Sequence, residues 1–122
     1  MIEYIPFKNG ERPFSTAVKV DNMIFVSGQV GVDRNMGKFH TAIEEQTEQA
    51  IINLEKILVE QGYSLDKVIK ITAILLKKED IGAFNKIYTK YFRDNLPART
   101  LMVVNALAGE AIVELDAIAA KG

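Results

Sequence analysis

The chain has 122 residues, 48% hydrophobic and 25% charged, with a formal net charge of -1. That length suits one domain, residues 1–122, with its own core, and the lack of cysteine excludes disulfides, thiolate nucleophiles and cysteine-based zinc sites. The acidic pI of about 5.8 argues against a nucleic-acid partner, which would call for a basic stripe.

Ala17–Val20 and Met23–Ser27 are short β-prone runs separated by Asp21-Asn22, a pair that tolerates positive φ and so predicts a hairpin. Gly31, Asp33, Asn35 and Gly37 break the next stretch, which is expected to be an exposed loop through Lys38. The single histidine, His40, is expected to be exposed after that loop, and alone it cannot form a multi-histidine metal site. From Thr41 the period changes. Thr41 and Glu44 have the spacing of a capping box. Ile43, Thr47, Ala50, Ile51, Leu54, Ile57 and Leu58 recur every three or four residues. Glu45, Glu48, Gln49, Asn53 and Glu60 make the opposite, polar face, and Gly62 marks the C-terminal end.

Val68–Leu76 reads as a strand apolar on both faces, with Ile69, Ile71, Ala73 and Leu75 on one side and Val68, Thr72, Ile74 and Leu76 on the other. Lys77-Lys78-Glu79-Asp80 reads as a solvated turn. A second helix spans about Asp80–Phe92, with Ile81, Phe84, Tyr88 and Tyr91 as its apolar stripe, and Leu96-Pro97 stops it. Arg99–Asn105 and Ala111–Ala120 are the last strands, joined through Ala108-Gly109-Glu110. The order ββαβαββ predicts an α+β fold, one mixed sheet with both helices on one face. The other face is left apolar and bare, which predicts a homo-oligomer. No apolar run approaches the ~20 residues of a spanning helix. Met1-Ile2-Glu3-Tyr4 lacks the features of a signal peptide, so no membrane partner and a cytoplasmic location are expected.

Two features break the local pattern. Arg99 stands at the mouth of the apolar run Leu101-Met102-Val103-Val104. Its planar fork of donors matches a carboxylate in two parallel hydrogen bonds; the alternative is a structural ion pair with an acidic neighbour. In the final strand Ala111, Val113, Leu115, Ala117 and Ala119 share one face, while Ile112, Glu114, Asp116 and Ile118 share the other. Two carboxylates about 7 Å apart then point from an otherwise apolar strand. A partly buried carboxylate can act as general acid or base; the alternative is a solvent-facing edge with ordinary surface acids. Ser27 has no histidine partner by motif, and Ser27-Gly28-Gln29-Val30-Gly31 lacks phosphate-loop spacing. Asn85, in mid-helix, reads most simply as exposed.

Taken in order, Pro13-Phe14-Ser15, Ile24-Phe25-Val26-Ser27-Gly28-Gln29, Gln46–Leu54, Phe84-Asn85 with Tyr88 and Phe92, Pro97-Ala98-Arg99-Thr100, and Val113–Ala119 resemble the Rid/YjgF family of reactive-intermediate deaminases. The resemblance covers nearly the whole chain. It implies a chorismate-mutase-like fold, a homotrimer with active sites between subunits, and no cofactor. It also implies hydrolysis of 2-iminobutanoate and 2-iminopropanoate to 2-keto acids and ammonia. By this resemblance Arg99 binds the substrate carboxylate and Glu114 orients water or carries protons, with Ser27 and Asn85 at matching positions in the substrate site. Phe14 stands where the family often has tyrosine, so a hydroxyl is missing. Leu101 stands where it often has cysteine, so that residue can serve only through its backbone. The rival reading is a protein that binds or senses small 2-keto acids without turnover, which needs Arg99 but not Glu114.

Overall fold

The computed structural model describes residues 1–122. Its elements are β1 Ile2–Ile5, β2 Ala17–Val20, β3 Met23–Val30, β4 Val32–Asp33, β5 Lys38–Phe39, α1 Ile43–Glu60, β6 Val68–Leu75, α2 Ile81–Tyr91, β7 Ala98–Val103 and β8 Val113–Ala120. Six strands form one sheet in the order β1-β2-β3-β8-β6-β7. All neighbours are antiparallel except β6 and β7, which α2 joins as a parallel crossover. β4 and β5 form a separate small ribbon.

The helices pack on one face of this mixed sheet, as the α+β order predicts. Ile51, Leu54, Leu58 and Phe84 are fully buried against Ile24, Ile71, Leu75, Val113 and Leu115. Each such side chain contributes about 1.5–3 kcal/mol of transfer free energy. β8 alternates as expected: Val113, Leu115, Ala117 and Ala119 are buried, and Glu114, Asp116 and Ile118 are half-buried on the other side. The Asp21-Asn22 turn carries the predicted positive φ, 52° at Asp21. Gly62 takes φ 86° after α1, as a helix-terminating glycine does.

Several expectations need correction. α1 is capped by Ala42 with no side-chain cap hydrogen bond, so Thr41 and Glu44 form no capping box. The expected exposed loop after β3 carries the β4–β5 ribbon, and Gly31 within it is buried. A Cβ there would stand 2.6 Å from the Gln46 carbonyl oxygen, so only glycine lets the chain pass α1 so closely. His40 is half-buried, its Nε2 3.3 Å from Gln49 Oε1. Asn53, assigned to the polar face, is buried. A bulge between Val68 and Lys70 exchanges two side chains of β6: Val68 joins Ile71, Ala73 and Leu75 in the core, and Ile69 is exposed.

Candidate functional site at the two faces of the sheet

Arg99 pairs with Ile71 in the β6–β7 register, and Ile71 pairs with Ala117 of β8. Both partners are buried on the helix-covered face, so Arg99 projects to that side, toward α2. Its Nη1 donates to Asn85 Oδ1 at 2.8 Å. Its Cζ lies 4.8 Å from the Tyr88 ring centroid and 5.6 Å from that of Phe84. Asn85, expected to be exposed, is half-buried and holds the arginine. No carboxylate pairs with Arg99; the ion pairs of the chain are Met1–Asp21 and Lys8–Glu60. The structural ion pair entertained from sequence is therefore not formed. The Tyr88 hydroxyl is buried without a hydrogen-bond partner. Burial pushes its phenol up, with the Arg99 charge opposing.

Leu101 follows on the same face, half-buried and paired with Ala73. β7 is an edge strand, and its ladder extends to Val104, whose N–H donates to Leu75 O at 2.9 Å. Backbone N–H groups alternate along a strand. Those of Met102 and Thr100 therefore face β6, and those of Leu101 and Arg99 face the free edge. A side-chain fork and an unpaired backbone donor thus stand two residues apart at one edge of the sheet.

The remaining candidates lie elsewhere. Glu114 pairs with Ile74 of β6 and with Val30 of β3, on the face that carries no helix. Burial first, and the Asp116 charge second, push its carboxyl above the ordinary glutamate value. The register of β3 shifts between Val26 and Gln29, which sets Gly28 against this carboxylate. A Cβ on Gly28 would lie 2.4 Å from Glu114 Oε2. The neighbouring Ser27 hydroxyl donates to Ser15 O at 2.6 Å. That bond ties the strand to the segment carrying Phe14, which is exposed and packs edge-on to Phe7 at 5.2 Å. Arg99, Asn85 and Leu101 form one group and Glu114 with Ser27 another, with the sheet between them in a single chain, and Phe14 lies in the segment tethered to Ser27.

A family model described as Endoribonuclease L-PSP, the Rid/YjgF family, matches residues 8–121. The chain belongs to the Rid/YjgF family. It is 41% identical over 111 residues to the 2-iminobutanoate/2-iminopropanoate deaminase of Mus musculus, covering 90% of this chain and 82% of that protein. The crystal structure of YyfA from Yersinia pestis, described as a protein of unknown function of the conserved Rid family, superposes with a TM-score of 0.91 at 30% identity, covering 99% of this chain and 100% of that one. E. coli TdcF with bound serine superposes with a TM-score of 0.87 at 26% identity, covering 97% and 94%.

Two polar residues of this Rid chain brace the site strands, and their roles were not read from sequence. Gln46 Nε2 donates to His40 O at 2.7 Å and to Glu110 O at 3.0 Å, and its Oε1 accepts from Ile112 N at 2.9 Å. Asn53 Nδ2 donates to Val30 O and Val32 O, both at 2.9 Å. Together they pin α1 to the entry of β8 and the exit of β3, the strand ends that present Glu114. Gly28 is a third residue that supports the site, and a glycine inside a β-prone run is its mark in the sequence.

Proposed function

We propose that the chain, residues 1–122, is one deaminase domain that hydrolyses 2-iminobutanoate, 2-iminopropanoate and similar 2-imino acids to 2-keto acids and ammonia, in the cytoplasm. The observation that carries this reading is the Arg99 guanidinium, held by Asn85 and two aromatic rings yet neutralised by no carboxylate. It spends one of its five N–H donors on Asn85 and keeps the rest for a ligand. A substrate carboxylate can take two of them, with the Leu101 N–H within the same edge.

The chemistry asks little more of the protein. Water adds to the imine carbon and gives a carbinolamine; transfer of its hydroxyl proton toward the nitrogen then releases ammonia and leaves the 2-keto acid. Arg99 fixes the carboxylate and so places the imine carbon relative to the water. Glu114, as carboxylate, accepts a proton from the attacking water and returns it to the departing nitrogen. Its partly buried setting beside Asp116 raises its pKa, which strengthens it as a base once ionised.

Arg99 and Glu114 occupy opposite faces of one chain, so this mechanism uses Arg99 of one subunit and Glu114 of another. The helix-free face offers the contact: Tyr4, Phe25 and Met102 are exposed there, beside half-buried Val18, Ile74 and Ile118. A homotrimer with sites between subunits, as the family resemblance implies, meets this requirement. The test generates 2-iminobutanoate in situ and follows 2-ketobutyrate release with wild type and Arg99→Ala, alongside calorimetric binding of 2-ketobutyrate. Hydrolysis above background by the wild type alone supports the deaminase. Binding without any rate above background makes the protein a 2-keto acid sensor instead.

A further inference from the structure

A cavity of about 760 Å³ lies on the helix-covered side, apart from Arg99, Asn85 and Leu101 and next to the segment that carries Phe14. Segment 5–12, the C-terminal half of α1 and the β4–β5 ribbon border it, and it opens to solvent. Lys8, Arg12, Arg34 and Lys56 line it, and Glu60 is the single acidic residue among the lining side chains. Glu60 is already paired with Lys8. Arg12, Arg34 and Lys56 have no carboxylate partner. Arg34 Nη2 donates to the Oε1 of Gln29, 3.4 Å away, and Gln29 is itself anchored through Nε2 to Ser27 O at 3.1 Å. Gln29 is 3% exposed, so the exposed arginine meets a side chain of the core wall. Arg12 rests over the Phe7 ring, its Cζ 5.5 Å from the centroid. Partial desolvation, and then the Arg12 charge, push the Arg34 guanidinium below its ordinary value.

Arg12, Arg34 and Lys56 bring three positive charges to one cavity wall with no carboxylate paired to any of them, an arrangement that favours an anion there. We propose that this cavity is a second ligand site, separate from the Arg99 edge, for a small organic phosphate whose charged group Arg12, Arg34 and Lys56 clamp and whose apolar part lies against Phe7 and Ile57. The guanidinium forks match phosphate oxygens in pairs. A phosphate monoester carries about two negative charges near neutral pH, which offsets most of the excess positive charge. The volume suits a molecule of nucleotide size or smaller.

The experiment uses the full-length protein at constant ionic strength. AMP, inorganic phosphate and citrate are titrated by calorimetry into wild type, Arg12→Gln/Arg34→Gln, Arg34→Lys and Arg99→Ala, and the melting temperature is followed with each probe. The expected result is AMP binding to wild type with a raised melting temperature. The affinity falls about tenfold or more in Arg12→Gln/Arg34→Gln, falls in Arg34→Lys, and is unchanged in Arg99→Ala. The double variant alters exposed side chains, and it should retain the fold by circular dichroism and the imine hydrolysis rate of wild type. No AMP binding to wild type, or equal binding to the double variant, overturns the site. Loss of binding in Arg99→Ala overturns its separateness from the substrate edge. Inorganic phosphate or citrate binding as tightly as AMP overturns the organic-phosphate assignment.

Discussion

Asn85 accepts a hydrogen bond from the Arg99 Nη1 at 2.8 Å, joining the middle of α2 to the second residue of β7. The amide orients the guanidinium without neutralising it. Asn85→Ala should therefore weaken substrate binding, with a loss of about tenfold in kcat/KM carried mostly by KM. Asn85→Asp should raise KM further than alanine does, because a carboxylate at this position competes with the substrate for Arg99. Steady-state kinetics on 2-iminobutanoate decide it; an aspartate variant with wild-type KM would remove Asn85 from the site.

Glu114→Gln should keep 2-ketobutyrate affinity and lose about 10²-fold in rate, the low end for general acid–base catalysis, since imines are intrinsically labile. Wild-type activity should fall as pH drops through the raised pKa of Glu114, above the ordinary glutamate range. Stability should move the other way. A carboxyl whose folded pKa is raised binds its proton more tightly in the folded state, so its favourable contribution is full below the unfolded pKa and is lost as pH rises through the folded one. Glu114→Gln should melt higher than wild type at neutral pH, with the gain gone below about pH 4. Thermal melts across that range check the sign.

Gly28→Ala separates position from chemistry. Its Cβ would displace the Glu114 carboxylate, the free end of a side chain, so the fold should tolerate it. The rate should drop about tenfold or more, because the proton carrier is moved from its place. Equal rates for Gly28→Ala and wild type would mean that Glu114 acts from another position.

Gln46→Leu should destabilise the protein by about 3 kcal/mol, since it strands His40 O, Glu110 O and Ile112 N beside a buried apolar group. Denaturant unfolding measures this. An effect near zero would show that water replaces the amide.

How much of this was legible in the sequence depends on whether a feature is periodic. α1 and β8 announce themselves because Ile43 to Leu58 and Val113 to Ala119 repeat at the spacing of their element. The bulge at Val68–Lys70 does not, because Val68 and Ile69 are both β-branched and apolar, and either can face the core. Gln46 and Asn53 look like surface residues, and their burial depends on carbonyls supplied from distant segments, His40 and Glu110 for the one and Val30 and Val32 for the other. β1 has four residues at a sheet edge and leaves little pattern. Arg99 and Glu114 stood out by type, but their separation by the sheet depends on strand pairing, which composition and spacing do not encode.

Arg99→Ala, inactive alone, and Glu114→Gln, slowed about 10²-fold alone, should recover activity when unfolded together and refolded as a mixture. If each site takes Arg99 from one chain and Glu114 from another, random assembly of equal amounts leaves about a quarter of the sites intact. The same samples by sedimentation should show a trimer, and a species at the chain mass of 13.6 kDa would contradict the shared site. No recovery from well-folded mixed assemblies would place both residues' functions within one chain.

The position of β8 also bears on how the molecule is made. It lies between β3 and β6, yet it is the last strand in chain order. During synthesis the β1–β3 and β6–β7 portions emerge first and have no direct pairing with each other. Until residues 113–120 leave the ribosome, β3 and β6 each present an open edge able to recruit other nascent chains. Closure of the sheet is therefore a late, long-range event, and the interval before it is when this protein has most need of a chaperone.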